Sequence, residues 1–141
     1  MRIRRRSRKR EAISELFKST KLHPGARWIY AELKPKFPDL SLGTVYRNIK
    51  ILHEKGEIGS LGVIKSEERF DGITMPHSHA ICTCCGQVRD LDEVKIPGNL
   101  SASIPDFSID TRKIVFYGLC KGCQSQGCQS QGCKDTAALG R

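Results

Sequence analysis

Apolar residues recur at helical spacing three times before residue 56, and then the period changes. In RKREAISELFK, Ile13, Leu16 and Phe17 share one side, which predicts a first helix over roughly Lys9–Lys18. In HPGARWIYAEL, Ile29 and Leu33 carry an apolar face onward from Pro24, whose fixed φ suits a first helical turn. That helix stops near LKPKFP, because Pro35 and Pro38 disfavour helix in the residues before them. The third, SLGTVYRNIKILHEKG, is the clearest. Ser41 is an N-cap, Gly56 a C-terminal stop, and Val45, Ile49 and Leu52 recur at i, i+4 and i+7. Beyond Gly56, GEIGSLGVIKSEERFDG alternates and breaks as a short hairpin does. Three helices followed by a hairpin are the order of a winged helix. The competing reading is a three-helix bundle with a polar face.

The far side of the third helix separates those readings. Ser41, Thr44, Tyr46, Arg47 and Lys50 are left facing outward there. Their hydroxyl, amine and guanidinium groups suit base edges and phosphates, as in a helix that enters the major groove. Charge points the same way. Up to residue 55 there are 15 Lys and Arg against five Asp and Glu, and afterwards nine against ten, for a net charge of +9. A basic front joined to a neutral back is expected of a polyanion-binding module fused to something else. The stretch MRIRRRSRKR, read as a solvated basic tail, explains only seven of those charges.

From Met75 to Cys82 the pattern fits an extended strand, whose side chains alternate faces. His77 and His79 then point one way and Cys82 the other. Cys82 and Cys85 form a CxxC knuckle, with Gly86 free to make the tight turn. A second pair, Cys120 and Cys123, follows the strand-like run KIVFYG. Two such pairs predict a tetrahedral zinc site of four thiolates. The alternative is a thioredoxin-like dithiol, but no βαβ pattern surrounds either pair. The histidines form a harder set, suited to Fe(II), Mn(II) or Zn(II), with Asp71 upstream and Asp90 downstream as carboxylate partners. Asp71 also fits a hairpin turn, and Asp90 also fits an N-cap of the run DLDEV.

At 141 residues and 38% apolar, the chain suffices for one ordinary domain or two small ones. No apolar run reaches the length of a membrane span, and the arginine-rich start lacks the apolar core of a signal peptide. A cytoplasmic protein is expected, in which seven cysteines favour thiolate–metal chemistry over a disulfide framework. No hydrolase or nucleotide-binding motif is present, and no enzymatic activity is expected.

Together HPGARWIYAEL, PDLSLGTVYRNIKILHEKGEI, ERFDG, PHSHAICTCCGQVRD and YGLCKGC resemble the ferric uptake regulator family of bacterial metal-dependent repressors, in the family's order, over roughly residues 10–123. The resemblance implies an α+β protein: an N-terminal winged helix-turn-helix domain followed by a small α/β dimerisation domain with a four-cysteine zinc site. It implies a homodimer on an inverted-repeat double-stranded DNA operator. Expected boundaries are a DNA-binding domain over 1–68, a hinge over 69–74, a metal-binding dimerisation domain over 75–123 and a disordered tail over 124–141. Cys82, Cys85, Cys120 and Cys123 match the family's structural Zn(II) ligands. His23, Asp71, His77, His79 and Asp90 match its regulatory ligands for Fe(II) or Mn(II). Alone, His23 reads only as a helix-entry residue. Aspartates at 71 and 90 are similar to the branch that senses peroxide through Fe(II)-catalysed oxidation of a histidine ligand, here His23 or His77. A repressor responding to iron or zinc level is the same-family alternative, and a zinc-ribbon structural or nucleic-acid-binding protein is the alternative outside it.

Three departures from the family accompany the match. Only a basic stretch stands where an extra N-terminal helix is usual. The segment DTRK lacks the histidine of a further metal site. Pro97, Gly98 and Pro105 interrupt the region where a dimer-domain helix is expected. In the tail, QSQGCQSQGCK repeats a pentapeptide and leaves Cys128 and Cys133, with Cys84, outside the zinc set.

Overall fold

A computed structural model of the chain describes residues 7–91, 104–108 and 113–127. The chain divides into two compact units, Met1–Thr74 and Met75–Arg141.

The first unit holds α1 (Arg8–Ser19), α2 (Ala26–Leu33), α3 (Leu42–Glu54) and the hairpin β1 (Gly59–Ile64) with β2 (Glu67–Asp71). Its core is the apolar set read from the sequence. Ile13 and Phe17 of α1, Ile29 and Leu33 of α2, and Val45, Ile49 and Leu52 of α3 are all buried together, joined by Leu40, Ile58 and Phe70. Each fully buried aliphatic or aromatic side chain here contributes about 1.5–3 kcal/mol. The Ser41 side chain accepts from the Thr44 N–H at 3.1 Å and starts α3. At its other end Gly56 has φ 71, with Gly56 N–H bonded to His53 O and Glu57 N–H to Leu52 O. That pair of bonds is a Schellman cap, which needs the left-handed residue that glycine supplies.

Pro24 departs from expectation. It lies before α2, whose N-cap is Gly25, and not within the first turn. The reason is that β2 uses this corner: the Pro24 carbonyl accepts from Phe70 N–H at 3.1 Å, and a Glu67 carboxylate oxygen accepts from Arg27 N–H at 3.1 Å. Glu67 thus caps α2 from outside the helix, and a side chain on Gly25 would collide with its carboxylate.

The hairpin is antiparallel, with a register shift between Ser60 and Gly62, where Gly62 takes φ 79. Its tip is the two-residue turn Lys65–Ser66, both at positive φ, as the twist of a tight hairpin requires. Phe70 packs edge-on against Phe17, ring centroids 5.9 Å apart, and fastens β2 to α1. Residues 69–71, expected in the hinge, complete β2. Directly after, Gly72 sits so close to the Phe17 carbonyl that an added Cβ would overlap it.

The second unit contains β3 (Ser78–Cys82), β4 (Val88–Leu91), β5 (Val115–Gly118) and a short α4 (Lys121–Gln126), with sheet order β4-β3-β5 among the described residues. β3 pairs antiparallel with β4 and parallel with β5. A parallel pair needs a crossover connection. Residues 104–108 of that connection form a turn, and the irregular helix expected around Pro97 and Gly98 lies outside the described residues. So do the basic stretch 1–6, most of DTRK, and residues 128–141 of the tail.

The disordered tail, expected from residue 124, is corrected at its start. Gln124, Ser125 and Gln126 belong to α4, whose N-cap is Cys120 and whose C-cap is Gly127 at φ 66. The second knuckle itself starts the helix, through Gln124 N–H to Cys120 O at 2.9 Å. Among the described residues no helix is long and apolar enough to cross a membrane.

Because the atom facing Gly72 is backbone, Gly72→Ala is expected to destabilise the first unit by about 1–3 kcal/mol. Denaturant unfolding followed by helix signal measures it, with Gly43→Ala, which meets open space, as the comparison.

Candidate functional site

The parallel register of β3 and β5 sets Cys82 beside Gly118, so both strands end together and both CxxC segments leave from one edge. Gly86, at φ 77, turns the first knuckle back, with its N–H on Cys82 O at 2.9 Å and Cys82 N–H on Gln87 O at 2.8 Å. The four sulfurs of Cys82, Cys85, Cys120 and Cys123 lie within 4.8 Å of one another, and Cys85 Sγ is 3.8 Å from Cys120 Sγ. Tetrahedral zinc with bonds of about 2.3 Å places its sulfurs about 3.8 Å apart. Cys84 is buried against the cluster.

The polarity around the sulfurs is uneven. Burial pushes the Cys82 thiol up, but the backbone N–H groups of Cys120, Cys85 and Cys84 outweigh it and bring it down to about 6. Burial dominates at Cys85 and pushes it up to about 11. Backbone N–H groups aimed at a sulfur favour the thiolate, the form a metal takes. Four soft donors in a closed shell fit structural Zn(II).

The harder donors occur in both units. In the second, β3–β4 pairing puts Asp90 directly opposite His79. The Asp90 carboxylate oxygen Oδ1 lies 3.2 Å from His79 Nε2 and 3.0 Å from His77 Nε2. The two rings are 4.4 Å apart between centroids. His77 Nδ1 is 2.7 Å from Met75 O, and since a carbonyl only accepts, that nitrogen carries the hydrogen. In the neutral ring Nε2 then carries the lone pair, the form a metal takes. Two imidazole nitrogens converging on one carboxylate oxygen form an arrangement that a shared cation satisfies. Asp90 is therefore a strand residue paired with histidine, not the N-cap that DLDEV also allowed.

In the first unit His23 is buried, with Nε2 3.5 Å from Asp71 Oδ2. The other Asp71 oxygen accepts from Ile73 N–H at 2.8 Å, which fixes the carboxylate. His23 has φ 51, a left-handed backbone. Arg69 donates from Nε to His23 O, and from an Nη2 to Leu22 O at 2.9 Å. Nitrogen and carboxylate donors without sulfur fit Fe(II) or Mn(II).

On α3, Ser41, Tyr46, Arg47 and Lys50 are exposed and Thr44 is half-buried. Ser41 and Thr44 hydroxyls are 2.8 Å apart, and an Arg47 Nη2 donates to Thr44 Oγ1 at 3.2 Å. Sequence reasoning missed three supporting residues. Asn48 is buried, accepts from Arg10 Nε at 3.0 Å and donates to Thr44 O at 2.9 Å, tying α1 to the exposed turn. Glu67 and Arg69 were missed as well. Their only signal is alternation with Asp71 along one face of β2.

The chain is similar to known proteins over most of its length. The model of the Ferric uptake regulator family matches residues 3–117. The peroxide operon regulator of Bacillus subtilis is 36% identical over 122 residues, covering 83% of this chain and 82% of that protein. The peroxide-responsive repressor PerR of Staphylococcus saprophyticus is also 36% identical, covering 83% and 80%. Among solved structures, the Helicobacter pylori ferric uptake regulator Fur aligns with TM-score 0.74 at 22% identity, over 84% of this chain and 81% of that one. The Campylobacter jejuni peroxide stress regulator aligns with TM-score 0.64 at 26% identity, over 82% and 88%. The shared fold is a winged helix followed by a small α/β unit.

Cys82→Ser is expected to release zinc and unfold the second unit, since folding and metal binding there are one equilibrium. Zinc content per chain, measured after gel filtration, checks it; one zinc retained per chain contradicts the tetrad.

Proposed function

The chain belongs to the ferric uptake regulator family of metal-responsive repressors, and from that premise we propose that the signal it reads is peroxide. The observation that carries this reading is the pairing of His77 and His79 with an aspartate, Asp90, matched in the other unit by His23 with Asp71. The curated relatives named for peroxide response support it. In the proposal the five side chains hold one regulatory ion. His23 and Asp71 belong to the unit that carries α3, and His77, His79 and Asp90 to the unit that carries the zinc tetrad. Shared occupancy of the five donors ties the DNA-reading unit to the dimerising one. In a homodimer it fixes two copies of α3 for the half-sites of an inverted repeat. Repression then follows the difference in DNA affinity between the tied and untied states.

Fe(II) held by these residues would activate hydrogen peroxide, chemistry that redox-inert zinc lacks, and Mn(II) in the same place would support repression without it. The net change falls on the protein. One oxygen atom from peroxide enters a C–H bond of the His23 or His77 imidazole, the O–O bond breaks, and water leaves. An oxidised ring is a poorer nitrogen donor, so the tie is lost and the operator is freed.

The test is the mass of the peptides containing His23 and His77 after the Fe(II)-loaded protein meets hydrogen peroxide. Gain of one oxygen, together with loss of operator binding and its absence in the Mn(II)-loaded protein, is expected. No mass gain, with DNA release following metal concentration alone, moves the protein to metal-level sensing. Arg47→Ala is expected to cost about 1–3 kcal/mol of specific binding if the guanidinium reads a base edge. Mobility shifts on operator and scrambled duplexes separate that from a phosphate contact, which weakens both alike.

A further inference from the structure

We propose that Arg69 is a positioning residue for His23: its guanidinium grips the two carbonyls around the histidine and holds the left-handed backbone that sets the imidazole beside Asp71. The inference rests on the reading of His23 and Asp71 as regulatory ligands.

His23 has two reasons to leave its conformation. Only a few per cent of non-glycine residues take positive φ, and His23 sits there at φ 51. It also precedes Pro24, and the residue before a proline prefers extended backbone. A strained backbone persists only where its surroundings over-determine it, and such positions cluster at functional sites.

β2 supplies that restraint. Its residues alternate faces, so Glu67, Arg69 and Asp71 form one polar row. The row meets the segment from Leu22 to Arg27 at successive points. Glu67 accepts from Arg27 N–H, Arg69 donates to the carbonyls of Leu22 and His23, and Asp71 faces His23 Nε2. Between them the Phe70 N–H bonds Pro24 O. A planar guanidinium with fixed donor directions can hold two neighbouring carbonyls at once, which an ammonium cannot do with the same geometry. Arg69 and Asp71 thus act on backbone and ring of the same histidine from one strand.

The probe is Mn(II), titrated into full-length, zinc-loaded wild type, Arg69→Met, Arg69→Lys and His23→Ala. Arg69→Met is expected to weaken Mn(II) binding about 10–100-fold, the range for removing a group that orients a ligand. Zinc content and helix signal should be kept. Arg69→Lys, which retains charge but not the fork, should show a smaller loss. In the metal-free protein, exchange of the Phe70 amide should be faster in Arg69→Met than in wild type. Wild-type Mn(II) affinity in both Arg69 variants, with His23→Ala weakened, overturns the positioning role and leaves the ligand reading standing. Should Arg69→Met fail to fold, wild-type affinity in Arg69→Lys overturns it alone. Wild-type affinity in His23→Ala overturns the ligand reading, and this inference with it.

Discussion

The two-residue period of β2 is the constraint on which the first unit depends. One face of this five-residue strand sends Phe70 into the core against Phe17, and the other sends Glu67, Arg69 and Asp71 to the corner before α2. A slip of one residue would exchange the faces, burying charge and exposing the ring. The helix cap, the histidine backbone and the carboxylate partner are therefore fixed by one register. The close approach of Gly72 to the Phe17 carbonyl excludes a side chain where the strand ends.

The second unit solves a different problem. Among its described residues few apolar side chains are buried, Ile81 and Val88 with the cysteines, while Phe116 and Tyr117 of β5 are exposed. Small modules, marginal on apolar burial alone, commonly add a metal. The parallel pairing of β3 with β5 lets one ion join two segments far apart in sequence. The same β3 sets His79 opposite Asp90 of β4 and ends at Cys82, one of the four clustered cysteines. Two kinds of donor chemistry thus share one strand, kept apart by spacing alone.

Much of this was legible in the sequence, and the legible parts share a cause. Val45, Ile49 and Leu52 repeat with the period of a helix, Ser41 and Gly56 are chemically suited to its ends, and paired CxxC spacing reports sulfur geometry locally. His23 entered the candidate set only through family resemblance, because Asp71, its neighbour in the fold, is distant in the chain and an LHP histidine carries no period. Pro24 was placed inside α2 because its ring suits a first turn, while the carbonyl bond to β2 that holds it outside is a tertiary fact. Arg69 and Asn48 were invisible for the same reason: each acts on backbone or amide groups brought close only by folding. At Gln124 the opposite error arose. Polar, repetitive composition suggested no structure, yet a knuckle that doubles as an N-cap imposes a helical turn on whatever follows it.

Asp71 stands between Phe70, packed in the core, and Gly72, wedged under a helix carbonyl. A well-packed interior is stiff and passes strain along with little local give. A pull on this carboxylate therefore has no slack to take up in the strand that bears it. It is passed instead to the core that Phe70 shares with Val45, Ile49 and Leu52 of α3.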